Sequence, residues 1–228
     1  MVQQQNIWQA LWRRIEQSAH DCGRNADKIA LLAVSKHFPP ERIRHVYACG
    51  QRRFGENYVQ EARQKKEALS DIDDISWVLI GPLQKNKARI AAEIFDMIET
   101  VDDLTLAERL SAARSSEKAP LEILIQVNIS HESQKSGIPA QDALALAREV
   151  RDLPRLRWRG FMGIAENSDD PVRQLAQFAR LRACFDEAMA DGLAPDVLSM
   201  GMSADLEAAI QAGSTEVRIG SALFGERT

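Results

Sequence analysis

The chain has 228 residues, with 29 Lys and Arg against 33 Asp and Glu, a net charge of −4, and 45% hydrophobic but only 6% aromatic residues. These values exclude a disordered chain, a collagen-like repeat and a disulfide-stapled miniprotein, and a chain of this length buries roughly 70% of its unfolded surface without a metal or a disulfide. The mildly acidic balance supplies no general attraction for nucleic acid or an anionic membrane, so neither is an expected partner.

Ile7, Trp8, Leu11, Trp12 and Ile15 recur at helical spacing among Arg13, Arg14 and Glu16, which predicts an amphipathic leading helix over 1–23 that Gly23 terminates, and not a signal peptide. No stretch approaches the ~18 continuous apolar residues of a membrane span. Cys22, Cys49 and Cys184 are odd in number and far apart, which predicts reduced thiols and no zinc site. The sequon Asn128-Ile129-Ser130 is a coincidence in a chain without a secretory signal, and the expected compartment is the cytoplasm.

After the leading helix, short apolar runs alternate with stretches of helical period. The expected strands are 29–35, 53–55, 77–81, 97–101, 121–128, 156–164, 197–200 and 216–224. Between them, Pro39-Pro40-Glu41 opens a helix that Gly50 stops, and further helices are expected over 59–69, 84–95, 104–116, 140–153, 171–190 and 205–211. Strands alternating with helices imply right-handed βαβ units and a parallel sheet. Eight such repeats fit a closed (β/α)8 TIM barrel better than an open doubly wound sheet, the alternative, which usually stops at five to seven strands. No linker divides the chain, so one domain is expected over 1–228, with the barrel at 29–225.

In such a barrel, function sits at the C-terminal ends of the strands. Lys36 closes the first strand. Either it snorkels to water, or it sits desolvated in the barrel mouth, where its pKa falls and its amine becomes nucleophilic. The segment from Ser199 to Asp205 passes from strand through a glycine turn to a helix start, where Ser203 is placed to cap the helix or to help bind a phosphate. Asp205 and Glu207 compete with an anion for that positive helix end. Gly220 and Ser221 follow the last strand, in the other loop that most often holds a phosphate in these barrels. Arg218 lies inside that apolar strand and needs an acceptor, either a structural carboxylate or a ligand in the mouth. Asn57 ends the second strand at the same level.

A lysine in a pocket, a phosphate cradle and an arginine describe a site for pyridoxal 5′-phosphate. The segments Ala33-Val34-Ser35-Lys36, Phe54-Gly55-Glu56-Asn57-Tyr58-Val59-Gln60-Glu61, Ile80-Gly81-Pro82-Leu83-Gln84-Lys85-Asn86-Lys87, Arg159-Gly160-Phe161-Met162, Leu198-Ser199-Met200-Gly201-Met202-Ser203 and Val217-Arg218-Ile219-Gly220 through Phe224-Gly225 resemble the pyridoxal phosphate homeostasis proteins, single-domain relatives of the alanine racemase barrel. The resemblance covers nearly the whole chain. It implies a fold type III barrel like the alanine racemase N-terminal domain, with Lys36 as the Schiff-base lysine. It also implies Ser203, Gly220 and Ser221 around the phosphate, Arg218 at the pyridine nitrogen and Asn57 beside the ring. Two places depart from the family pattern: Val78 stands where a histidine is usual, and Gly163-Ile164-Ala165-Glu166 replaces a loop that tends to carry a proline. Both are expected to affect rim contacts or partner surfaces, not cofactor binding.

A racemase needs a base on each face of its substrate. In the racemases this barrel resembles, the second base is a tyrosine from an additional β-domain, and no such domain is expected here. Tyr58 is the sole tyrosine expected near the mouth. An arginine facing the ring nitrogen leaves it unprotonated and weakens the cofactor as an electron sink. The expected function is therefore binding of pyridoxal phosphate for homeostasis or carriage, with pyridoxal-phosphate-dependent apoenzymes as partners. A slow amino-acid racemase is the alternative. Lys85, Lys87 and Arg89 read as a solvated helix face, and a monomer is expected.

Overall fold

The computed structural model describes residues 2–130 and 136–225; residues 1 and 226–228, the outermost ends of the expected domain, lie outside the described residues. It opens with α1 (Val2–Asp21), whose Leu11, Ile15 and Ala19 form the buried stripe. Gly23, in the left-handed region at φ +68°, ends the helix as expected.

Seven strand–helix steps follow: β1 (Ala30–Val34) and α2 (Pro40–Ala48), β2 (Arg53–Glu56) and α3 (Val59–Ala68), β3 (Ser76–Leu79) and α4 (Ala88–Ile94), β4 (Met97–Val101) and α5 (Leu104–Ala113), β5 (Leu121–Asn128) and α6 (Ala143–Arg151), β7 (Leu156–Gly163) and α7 (Pro171–Ala190), β8 (Val197–Ser199) and α8 (Leu206–Gln211). The two-residue β6 (Ile138–Pro139) adds to the end of β5. The chain finishes with β9 (Glu216–Ile219) and α9 (Ser221–Phe224).

The strands run parallel in the order β4-β3-β2-β1-β9-β8-β7-β5, and a β4–β5 pairing closes the ring. The sheet is thus the expected eight-stranded barrel and not the open alternative. One strand boundary needs correction. The apolar run 216–224 is not one strand, because Gly220 (φ −112°, ψ −87°) breaks it and Ser221–Phe224 turn into a short helix. Continuous hydrophobicity could not reveal that break, since strand and helix are both buried there.

Leu32, Val78, Met97, Leu124, Met162 and Val197 fill the barrel interior, while the larger cluster packs between barrel and helices. On β1 the inward phase carries Leu32 and Val34, and the same alternation continues past the strand end to Lys36. On β9 it carries Glu216 and Arg218. Val78, whose departure from the family pattern was expected to matter at the rim, is fully buried inside the barrel. α1 packs on α2, α8 and α9, filling the place in the helical layer that four-residue α9 is too short to cover.

Candidate functional site

The C-terminal mouth of the barrel holds a cavity of about 320 Å3 that touches all six expected residues: Lys36, Asn57, Ser203, Arg218, Gly220 and Ser221. They come from the ends of β1, β2 and β9 and from the β8–α8 and β9–α9 loops. Val34, Ile80 and Ile164 supply apolar wall, and Phe38, stacked on Phe224 at 4.9 Å between ring centroids, supplies more. A neighbouring cavity of about 350 Å3 shares Asn57, Ile80 and Ile164 and is otherwise lined by neutral groups, among them Thr100, Gln126 and Asn128. Asn57 Oδ1 is buried without a hydrogen-bond partner among the described residues. Such an orphaned acceptor costs free energy unless a donor reaches it.

The loop after β8 differs from the expectation. Helix α8 begins at Leu206 with Asp205, not Ser203, at its N-cap position. The Asp205 carboxylate instead accepts a hydrogen bond from the Met202 amide at 2.5 Å, and Ser203 stands in the turn with its residue facing the cavity. Gly201 allows the turn: its φ is +98°, and a Cβ there would lie 2.4 Å from the Ala209 Cβ. Glu207 does not compete for an anion either, because Arg14 on α1 holds its carboxylate at 2.6 and 2.7 Å.

Arg218 has protein acceptors and also reaches the cavity. Its guanidinium donates to Ser199 Oγ at 2.8 Å and to the Gly163 carbonyl at 2.9 Å, and it lies 4.0 Å from the Glu99 carboxylate, while the same residue lines the cavity. Sequence reasoning missed Glu99 and Ser199; a glutamate inside the apolar run Met97–Val101 was the available signal. Glu99 is fully buried and accepts from Ser199 Oγ at 2.7 Å. Burial first, then the adjoining carboxyl of Glu216, pushes the Glu99 carboxyl well above the usual range. Glu216 in turn pairs with Arg53 at 2.8 Å.

Other expected groups lie elsewhere. Tyr58 precedes α3, is about half exposed and is not a cavity residue; Tyr47 donates its hydroxyl to Asp74 at 2.5 Å. Ile164, in the loop that departs from the family pattern, does line both cavities, so that loop belongs to the site wall and not only to the rim. Lys85 pairs with Asp103 at 3.0 Å on the surface, and Arg89 is exposed. The three cysteines are free, with burial raising the Cys184 thiol to about 11. Among the described residues no cluster of three His, Cys, Asp or Glu could hold a metal ion, and no helix is long and apolar enough to cross a membrane.

A parallel eight-stranded barrel with a lysine, an arginine and two hydroxyl-bearing loops at its mouth defines a class, and the model of the alanine racemase N-terminal domain matches residues 10–228. The pyridoxal phosphate homeostasis protein of Pseudomonas aeruginosa is 48% identical over 94% of this chain and 91% of its own length. That of Escherichia coli strain K12 is 46% identical over 94% and 92%. Among solved structures, PipY of Synechococcus elongatus with PLP bound superposes with a TM-score of 0.80 at 36% identity, covering 92% of this chain and all of its own. An alanine racemase of Clostridium difficile shares the fold (TM-score 0.77, 13% identity), with this chain covering 94% of itself and 56% of the racemase. The chain belongs to the family of pyridoxal phosphate homeostasis proteins.

Proposed function

We propose that this chain binds pyridoxal 5′-phosphate in the barrel mouth, covalently through Lys36, and serves cofactor homeostasis or carriage and not turnover. The observation that carries the proposal is convergence: six residues separated by up to 185 positions in sequence meet on one cavity. The bound aldehyde would supply an electrophilic carbon. Lys36, at the cavity wall, is the residue that would hold the group covalently through its amine. Ser203, Ser221 and the Gly220 backbone hold the phosphate, and Asn57 offers its unpartnered Oδ1 beside the ring.

Arg218, held by Ser199 and Gly163, is the fixed donor that would meet the ring nitrogen. A guanidinium gives up no proton at neutral pH, so the nitrogen would stay unprotonated and the ring would be a weak electron sink. Among the described cavity residues, Lys36 and Arg218 are the only ionisable ones, which leaves one base where racemisation needs two. The same reading takes residues 1–228 as one domain, a cytoplasmic monomer whose recipients are pyridoxal-phosphate-dependent apoenzymes.

The test combines spectrum and mapping. Wild type mixed with pyridoxal phosphate is expected to show a visible Schiff-base band, and borohydride to fix the cofactor on the Lys36 peptide; Lys36→Ala is expected to lose both. Attachment elsewhere, or none, overturns the covalent assignment. Fast racemisation of L-alanine or another amino acid, lost in Lys36→Ala, would replace carriage by the racemase alternative.

A further inference from the structure

A second lysine, Lys65, binds the backbone next to Lys36. Lys65, on α3, is only 4% exposed, and a buried ammonium requires partners on every side. Its Nζ donates to the Ser35 carbonyl, to Glu56 Oε1 and to Glu61 Oε1, each at 2.7 Å. Glu61 Oε1 also accepts from the His37 amide at 2.6 Å. The Ser35 carbonyl and the His37 amide belong to the two peptide groups on either side of the Lys36 Cα. Lys65 therefore grips one peptide plane directly and the other through Glu61. The Glu56 carboxylate completes the clamp by accepting from Ser35 Oγ at 2.5 Å.

The backbone here needs a clamp. His37 has φ +67°, a left-handed conformation that costs a non-glycine residue free energy and persists only when its surroundings enforce it. An extended His37 would redirect the chain after Lys36 and break the Glu61 contact. The ion pair also conflicts with simple stabilisation, since two buried charges repay their desolvation poorly compared with apolar side chains of the same volume. A cluster that gains the fold little yet touches both peptides around one lysine is suited to positioning that lysine.

We propose that Lys65 is a positioning residue: with Glu61 and Glu56 it fixes the backbone on both sides of Lys36 so that the Lys36 amine reaches the aldehyde of a cofactor held in the cavity. The inference rests on Lys36 as the attachment site, so peptide mapping of the borohydride-treated wild type comes first. Cofactor on a peptide other than that of Lys36 ends the functional reading before the clamp is tested.

With Lys36 mapped, Lys65→Met is compared with wild type in two measurements: the rate of covalent attachment of pyridoxal phosphate, and the affinity for pyridoxamine phosphate, which has the phosphate and ring but no aldehyde. Attachment is expected to slow about tenfold or more, as misplacement of a reacting group by around an ångström does. Affinity for pyridoxamine phosphate is expected to stay within about twofold, because no group that Lys65 touches lines the cavity. Attachment at the wild-type rate overturns the proposal, as does a parallel loss of both ligands, which marks a residue that only supports the fold. Should Lys65→Met alone not fold, the double variant Glu56→Gln with Lys65→Met removes the buried pair as a unit and is read by the same two outcomes.

Discussion

Arg14 of the leading helix donates a hydrogen bond to the main-chain carbonyl of Ser203, 189 residues further along the chain, at 3.0 Å. The same guanidinium holds Glu207, and Gln4 of that helix donates to the Leu223 carbonyl at 2.7 Å, so α1 braces both loops assigned to the phosphate. Replacing Arg14 by Met keeps the stem but removes the brace. One part-buried hydrogen bond with an exposed ion pair contributes about 1 kcal/mol, so affinity for pyridoxal phosphate is expected to fall roughly three- to tenfold. Pyridoxal, which lacks the phosphate, is the control and is expected to attach as to wild type; titration with both aldehydes checks the difference.

Glu56 gives the clamp a pH signature. Burial, opposed by Lys65 and Ser35, raises its carboxyl from 4.5 to about 6. Below pH 4.5 it is protonated folded or unfolded, while between 4.5 and 6 the folded state binds more protons. Stability contributed by this group is therefore greatest at low pH and is lost as pH rises through that window, by about 2 kcal/mol. Glu61, held below its usual range by hydrogen bonds from Lys65 and the His37 amide despite partial burial, acts in the opposite sense. The comparison must accordingly be a difference. Urea unfolding of wild type and Glu56→Gln from pH 4 to 7 is expected to show wild type losing ground to the variant across pH 4.5–6, and a constant gap would refute the assignment.

The cavity residues were legible in the sequence because they follow a rule of position. Lys36, Asn57, Arg218 and Gly220 each stand at or just beyond a strand's C-terminal end, and the inward phase of the alternation carries them into the mouth. The residues that hold them were not legible. Lys65 looks like any lysine on a helix of mean polarity, and only the tertiary fold brings it under Ser35, 30 positions earlier. Glu99 and Ser199 are 100 positions apart, and no local period links them. Ser203 and the run 216–224 were misread for a local reason: the N-cap falls two residues later, and a four-residue helix has too few turns to show a period.

Beneath Arg218 the Glu99 carboxyl adjoins that of Glu216, and burial together with this neighbour holds it well above the usual carboxylate range. Glu99 Oε1 and Glu216 Oε1 are both buried without a hydrogen-bond partner among the described residues. A neutral amide at position 99 keeps the shape of the side chain and removes the charge that burial and Glu216 disfavour. Glu99→Gln is therefore expected to unfold within a few degrees of wild type and to lose the destabilisation that wild type suffers as pH rises toward the elevated Glu99 pKa. Glu99→Leu leaves Ser199 Oγ without its acceptor and Arg218 without the nearby carboxylate, and is expected to cost about 2–4 kcal/mol. Thermal unfolding of both variants from pH 5 to 9 checks the pair, and equal damage from both would show that the position needs a charge.

Gly81 fixes the height of Asn57. A Cβ at Gly81 would lie 2.2 Å from the Asn57 carbonyl oxygen and 2.7 Å from its Cα, so the β2 and β3 ends approach more closely than any side chain permits. Thr100 Oγ1 donates to the Gly81 carbonyl at 2.8 Å and holds Gly81 from the other side, which leaves Asn57 as the element that must move. Gly81→Ala is expected to displace the Asn57 backbone, destabilise the fold by about 1–3 kcal/mol and turn Oδ1 away from the ring position. Cofactor affinity should fall several-fold while borohydride still maps attachment to Lys36, because β1 is not part of the contact. Asn57→Ala separates the two effects: it removes the orphaned acceptor without crowding, so it should weaken the cofactor's hold while leaving unfolding near that of wild type. If Gly81→Ala left affinity unchanged, Asn57 would be a wall residue with no ligand contact.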